Sequence, residues 1–539
     1  MMKKAIKKLL AALLAVAMVC AMAIPAFAFE SWETEEDLNK NHDYIAFQIF
    51  KGVISKDNPT LSGVDWGQHI PDDEDFLAEL KRDLTIGGEF ENATTPQDVL
   101  AVISKWHDSD NDSIAFARFV CHYLYSKGDP KSSIVGGGGA IKIPEPGYYL
   151  IVDNIDFGNG DYYHAYNSFL LVNDTQQGEY NVIINHKVVK PTVEKKVYDN
   201  DNNDISSAGG WGSSADHAIN EKFQFQLIAK LPASKDNGRA YDYYDKYTVC
   251  FNDTLSAGIT FDNLDTVKIA NVDGDNSKEI TNYKFDDTDL HEAGHPTSFK
   301  LSIDDVKTCA AAAGLNLNDG ATITVTYTAH LNENATVNTT SGPTDNKNSV
   351  QLQYSNNPRP GDYWGTTPKS EVYVFTYQLN NTKRAEKEDG TPLPGAGFRL
   401  YSDEACNAED EIKLKMNDDG TYSRDFSTEG KGVEMLSNKD GQFNVKGLDA
   451  GTYYLKETTP PAGYSACKVT PVTITANHNG NHVEFDSSKL STTIINKKDG
   501  GITLPSTGGI GTTLFYVVGG GLMVAAIVLL VTKKRMENK

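Results

Sequence analysis

Tyr453-Tyr454-Leu455-Lys456-Glu457-Thr458, followed by Pro460-Pro461-Ala462-Gly463-Tyr464, is the stretch on which the reading of the fold turns. Upstream, Phe375, Tyr377, Leu379, Asn381 and Lys383 alternate onto one face of a strand, so Lys383 points to the side that carries aromatics. Gly395-Ala396-Gly397-Phe398-Arg399-Leu400 lies between. Downstream, the last strand of this region, Thr492 to Lys497, carries Asn496 on the face of Ile494. Around it the chain is rich in Tyr, Thr, Asn and Gly and poor in long helical patterns, which indicates mostly β-structure.

These residues resemble the collagen-adhesin B-type (Cna B-type) immunoglobulin-like domains of Gram-positive pili, and Tyr453 to Thr458 looks like their E-box. The resemblance implies an all-β fold of tandem immunoglobulin-like β-sandwich domains, with an N-terminal β domain carrying helical insertions. It also implies an intramolecular amide between Lys383 and Asn496, with Glu457 as catalyst. The residue types suit that chemistry. A lysine amine attacks only when neutral, and an apolar site favours the neutral form. Burial likewise keeps a carboxyl protonated, able to polarise the asparagine carbonyl. Packing supplies the effective concentration.

A second set is read by the same resemblance. In Val193-Glu194-Lys195-Lys196-Val197, Lys195 shares a face with both valines. Val350, Leu352, Tyr354 and Asn356 share another face. Asp253 resembles the aspartate that replaces the glutamate in middle domains. The expected bond is Lys195 to Asn356 with Asp253 as catalyst, Asn357 being the competing acceptor. Lys51 lies on the face of Ile45, Phe47 and Ile49, which leaves a third cross-link open, although Val152 stands where an E-box glutamate would be.

The chain end reads Leu504-Pro505-Ser506-Thr507-Gly508, then an apolar run from Leu514 to Val531, then Lys533-Lys534-Arg535. That run makes about 27 Å of helix, enough to cross a bilayer, with the basic cluster on the cytoplasmic side. The order resembles the cell-wall sorting signal of Gram-positive surface proteins. In that family a sortase cuts between Thr and Gly and passes the Thr507 carbonyl to an amine. At the other end, Lys3, Lys4, Lys7 and Lys8 precede an apolar stretch from Leu9 to Ile24, and Ala26-Phe27-Ala28 is a signal-peptide cleavage site. Val19 stands where lipidation of Cys20 would need a small residue.

Between these ends the expected organisation is a signal peptide (1–28), an N-terminal domain (29–187), a middle domain (188–362), a C-terminal Cna B-type domain (363–498) and the sorting signal (499–539). In the first, Phe76, Leu77, Leu80 and Leu84 and the run Val99, Leu100, Ile103 and Trp106 have helical spacing, the latter capped by Thr95 with Pro96 and Asp98. Tyr180 to Lys187 ends this domain. It resembles the motif of SpaA- and FimA-type backbone pilins, whose lysine accepts the Thr carbonyl of the next subunit. Asn185 and His186 replace the usual Tyr-Pro, and Lys190 is the alternative acceptor. The implied molecule is the major subunit of a covalent cell-wall fimbrium that supports adhesion. It is not an enzyme beyond its own autocatalytic cross-linking. Its implied partners are other pilin subunits, pilin and housekeeping sortases, peptidoglycan and a host surface ligand.

The remaining signals bound this reading. Removing the signal peptide and the tail leaves a net charge of about −30 on the exported part, which argues against nucleic acid as partner. Of five exported cysteines, Cys406 and Cys467 fall in one domain and form the expected disulfide; Cys250 with Cys309 is a weaker pair, and Cys121 is left over as a buried thiol. His291-Glu292-Ala293-Gly294-His295 matches a zinc-protease pattern, but Gly294 and Pro296 favour a loop over the helix that pattern needs. Asp199 to Asp204 lacks the glycine and final glutamate of a calcium loop. No cofactor or metal is expected. The rival readings are a wall-anchored monomeric adhesin and, further off, a zinc-dependent surface protease.

Overall fold

The computed structural model describes residues 43–54, 61–70, 72–107, 110–128, 134–137, 140–143, 145–153, 168–172, 180–183, 190–200, 210–235, 239–290, 295–358, 364–425, 431–499 and 510–537. They form two compact units. One comprises Met1–Gln378, Lys446–Gly451 and Thr473–Leu490; the other comprises Leu379–Val445, Thr452–Val472 and Ser491–Lys539. β-Sheet dominates both, as the composition implies.

The N-terminal part of the first unit is a sheet with helices on it. Strand Asp43–Ile54 sits between Leu61–Trp66 and Gly147–Asp153, and Gly147–Asp153 pairs with Ser168–Val172. Helix Asp73–Arg82 starts at Asp72, whose side chain accepts from the Asp75 N–H. Helix Pro96–Ile103 carries the expected capping box of Thr95 and Asp98, with Pro96 in its first turn. A third helix, Asn111–Ser126, had no expectation from spacing: it is buried along most of its length, so its apolar residues show no clean stripe. Phe76, Leu80, Val99, Ile103, Phe116 and Val120 pack with Phe47, Ile49, Phe50 and Leu150 in one core.

A β-bulge decides the case of Lys51. Gln48 faces Tyr149, but Phe50 faces Tyr148, so one residue of the opening strand is extra. The alternation shifts there. Phe50 turns into the core and Lys51 turns out, half-exposed and 3.2 Å from Asp65 in a surface ion pair. It does not share the buried face of Ile45, Phe47 and Ile49.

The middle region is a two-sheet sandwich. One sheet runs Lys278–Glu279, Ile259–Ala270, Ala321–Leu331, Lys222–Leu231, Thr192–Tyr198, Trp211–Gly212. The other runs Ser214–Asp216, Ser370–Phe375, Lys347–Ser355, Val249–Leu255, Thr297–Ile303, Lys284–Asp286. Ala321–Leu331 alternates strictly between buried and half-buried, and Phe225, Leu227, Val325, Phe251, Leu301 and Leu352 fill the space between the sheets. Ser370–Phe375 pairs antiparallel with Lys347–Ser355, so this segment closes the middle sheet and a separate strand, Tyr377–Ala385, follows it.

In the second unit, Tyr377–Ala385 runs parallel to the last strand, Ser491–Asn496, with Lys383 opposite Ile494 and Ala385 opposite Asn496. A second sheet holds Gly397–Tyr401 beside Gly451–Thr459, with Phe398 opposite Glu457. The expected Cys406–Cys467 disulfide does not form. Strand alternation is the reason. Cys406 lies near Tyr401 and Lys456, whereas Cys467 lies against Glu457, and consecutive residues of one strand face opposite ways. Cys250 and Cys309 are not bonded either: Cys250 accepts from the Ser302 hydroxyl at 3.2 Å, and Cys309 sits on helix Val306–Ala312.

Helix Ile510–Glu537 contains the whole apolar run of the tail, and its side chains from Leu522 to Val524 and Ile527 to Val531 are exposed. Among the residues whose side chains are described, no helix is long and apolar enough to cross a membrane. The signal-peptide residues and Cys20 lie outside the described residues.

Phe76 is fully buried and meets Trp66, Phe119 and Tyr123 edge to face. Phe76→Ala is expected to cost about 3–5 kcal/mol in the unfolding transition of the N-terminal region. Denaturant melts of the exported chain followed by Trp66 and Trp106 fluorescence would show it.

Candidate functional site

Among the described residues two lysines are withdrawn from water, one in each unit. Lys383 follows from the pattern of its strand: Tyr377, Leu379, Asn381, Lys383 and Ala385 are all buried in strict alternation. Its Nζ donates to Asn496 Oδ1 at 2.5 Å and lies 3.3 Å from Glu457 Oε1. Asn496 Nδ2 donates to both Glu457 oxygens, at 2.8 and 3.0 Å. The Phe398 ring, itself stacked on Phe443, lies 5.1 Å from the amine. The backbone N–H of Cys467 donates to Glu457 Oε2 at 2.8 Å, which orients the carboxyl. Burial pushes the Cys467 thiol up to about 11, so it is not a competing nucleophile at neutral pH. Lys383 and Asn496 belong to one sheet and Glu457 to the other.

Lys195 occupies a comparable position in the sandwich of the first unit. Its Nζ donates to Asp253 Oδ2 and to the Tyr327 hydroxyl, the latter at 3.0 Å. Tyr327 donates to Asp253 Oδ1 at 3.1 Å. The rings of Phe225 and Tyr327 each lie 5.2 Å from the amine. Burial pulls the Lys195 amine down to about 8 against the opposing attraction of Asp253. Burial likewise raises the Asp253 carboxyl above its usual range, with Lys195 opposing. Both shifts favour the uncharged amine and uncharged acid, as does the several-kcal/mol penalty for each buried ion.

The carboxamide at this site is Asn348. Its Nδ2 donates to the Tyr327 hydroxyl at 2.5 Å, and its buried Oδ1 has no hydrogen-bond partner among the described residues. The expected acceptor, Asn356, is on the correct face but at the wrong end. Asp253 faces Val350, and Asn348 is two residues from Val350 whereas Asn356 is six. At about 3.4 Å per residue that separates Asn356 from the aspartate level by roughly 20 Å. Asn356 is buried with neither side-chain polar atom bonded among the described residues, and Asn357, the other competitor, adjoins it at the same end. Asn348 shares the alternation of Val350, Leu352 and Tyr354, so the signal was present; placing the acceptor at the domain end hid it. Tyr327 carried no sequence signal, because an inward tyrosine on a strand reads as core.

Chemically, each cluster brings an amine, a carboxamide and a carboxyl into one dry site, the reactants of a transamidation. The residues of intermolecular transfer fall elsewhere. Lys187 and Leu504, Pro505, Ser506, Thr507 and Gly508 lie outside the described residues; Lys190 is described and exposed. His291 to Gly294 and Asp201 to Asp204 also lie outside them, while Asp199 is buried.

Residues 379–489 match the family model described as a SpaA prealbumin-like fold domain, and residues 496–538 match the LPXTG cell wall anchor motif. No curated protein matches the chain in sequence. Among solved structures the chain is similar to the full-length major pilin SpaD of Corynebacterium diphtheriae, at 17% identity over 86% of this chain and 94% of that one, with a TM-score of 0.43. The T6 backbone pilin of serotype M6 Streptococcus pyogenes is similar at 13% identity over 86% and 98%, with a TM-score of 0.43. A 35 kDa C-terminal fragment of the major pilin GBS80 of Streptococcus agalactiae is similar at 19% identity over 57% and 99%, with a TM-score of 0.40. The two family matches show that the chain carries a SpaA prealbumin-like domain followed by an LPXTG anchor, which fixes it to the cell wall.

Proposed function

We propose that this protein is the repeating shaft subunit of a covalent pilus, self-welded inside each subunit and joined between subunits by a sortase. The observation that carries the reading is the buried contact of Lys383, Asn496 and Glu457 in the domain directly before the wall anchor. The Lys383 amine attacks the Asn496 carbonyl carbon. A new C–N bond forms, the amine gives up a proton, and the side-chain nitrogen of Asn496 leaves as ammonia. Glu457 contacts that leaving nitrogen with both oxygens, the position from which a carboxyl delivers one proton and recovers another. In the first unit the same roles fall to Lys195, Asn348 and Asp253, with Tyr327 holding all three. Each amide closes a loop of over a hundred residues, worth about 4–5 kcal/mol by analogy with a disulfide.

Between subunits, the Thr507 carbonyl leaves Gly508 through a sortase thioester and passes to Lys187 of the next molecule, with Lys190 as alternative acceptor. Such a head-to-tail join does not close on itself, so it propagates. Helix Ile510–Glu537, whose side chains from Leu522 to Val524 and from Ile527 to Val531 are exposed, holds the precursor in the membrane until transfer.

Three results test this. The exported chain should weigh about 34 Da less than its sequence, about 17 Da for each ammonia released. Lys383→Ala or Glu457→Ala should restore one increment and Asn348→Ala the other, while Asn356→Ala restores none; a full sequence mass in the unsubstituted chain rejects the internal bonds.

The second test uses pH. Asn348→Ala leaves the Lys195 amine free, releasing its proton near 8 when folded and at 10.5 when unfolded. The unfolded state then binds more protons in that window, so the variant should gain stability as pH rises from about 8 to about 10.5. The unsubstituted chain, with its amine locked in an amide, should lack that gain in urea melts.

The third concerns the fibre. Wall extracts should show a sortase-dependent ladder of high-mass species that Lys187→Ala abolishes. A ladder kept in that variant but lost with Lys190→Ala moves the acceptor. Absence of any ladder favours a monomeric wall-anchored adhesin.

A further inference from the structure

Asp199, Asp216 and His478 meet in the first unit, all buried, with ligand-capable atoms within 4.8 Å of one another. His478 Nε2 lies 3.6 Å from Asp199 Oδ2 and 3.6 Å from Asp216 Oδ1. Those distances are too long for hydrogen bonds. Neither oxygen of Asp216 nor Nε2 of His478 has a hydrogen-bond partner among the described residues. A carboxylate and an imidazole nitrogen left so in a protein interior would be a costly arrangement.

We propose that Asp199, Asp216 and His478 are ligands of a structural divalent transition-metal ion. The spacing suits one. An ion about 2.0–2.2 Å from each donor would see two donors 3.6 Å apart at an angle of roughly 110–130°, within reach of tetrahedral coordination. The imidazole is already set for it. Its Nδ1 lies 2.9 Å from the buried Ser214 hydroxyl; donating there leaves the Nε2 lone pair for the ion, and the Phe375 ring stacks 5.6 Å from the imidazole. One nitrogen and two carboxylate oxygens suit zinc or manganese better than a calcium site, which gathers six to eight oxygens. Asp199 directly follows strand Thr192–Tyr198, which carries Lys195; Asp216 ends strand Ser214–Asp216; His478 sits in strand Ala476–Asn479. The ion therefore ties together three segments remote in sequence, which is why no spacing motif announced it. A neighbouring group, His217, Glu221 and Asp449, supplies an internal control; its His217 Nε2 lies 2.7 Å from the Tyr198 carbonyl.

The test is elemental analysis and native mass spectrometry of the full exported chain, unfolded and refolded with zinc, then freed of loose metal. The expected result is one zinc per chain, lost in Asp216→Asn and in His478→Gln and kept in Glu221→Gln. Ser214→Ala is expected to weaken binding about 10–100-fold. If the ligand variants misfold, cobalt refolded into the unsubstituted chain should show tetrahedral d–d absorption and a paramagnetically shifted imidazole signal. No retained zinc, retention in both ligand variants, loss in Glu221→Gln, or cobalt without the imidazole signal each overturns the proposal.

Discussion

A primary amine held out of water between aromatic rings is the constraint to which much of this molecule answers. A buried ammonium costs several kcal/mol unless it is paired or becomes neutral. Lys195 has both remedies at hand: a carboxyl whose own ionisation is disfavoured and a phenol that bridges them. Lys383 meets an amide oxygen and a carboxyl in a wall of Phe398 and Phe443. The sheets around each amine have to hold their register to within one residue, because a slip of one turns every inward side chain outward.

The two sites distribute their members differently between the sheets. In the second unit the lysine and asparagine lie on neighbouring parallel strands and the carboxyl reaches in from the facing sheet. In the first, lysine and tyrosine come from one sheet, aspartate and asparagine from the other. A bond at the first kind of site welds the first strand of a domain to its last. A bond at the second would staple two layers together. Under a pull along the chain, the former resists peeling of an edge pair and the latter resists sliding of one sheet over the other. This difference follows from topology, since both sites use the same three functional groups.

Local pattern was legible wherever one strand or one helix carried the whole signal. The alternation that buries Lys383, the faces of Lys195 and of Val350 to Tyr354, and the Thr95–Asp98 cap are properties of a few consecutive residues. Errors arose where two segments had to be aligned. Asn356 shares the right face with Asn348, and only pairing with the aspartate strand shows which one stands at the amine. Cys406 and Cys467 share a unit, yet the faces of Lys456 and Glu457 keep them apart. Lys51 has the right parity until a bulge, invisible in composition, shifts it.

By itself, then, the amino-acid order determined that the chain is wall-anchored and mostly β, and that Lys195 and Lys383 face inward. Those are one-dimensional properties, written in hydrophobic runs, periods of two and short motifs. The tertiary structure decided which carboxamide shares the Tyr327 hydroxyl with Lys195, which thiols stay apart, and that Asp199, Asp216 and His478 share one dry space. The physical reason is that strand register and sheet facing arise from the packing of distant segments, and reactive contact requires agreement within about an ångström that no single segment encodes.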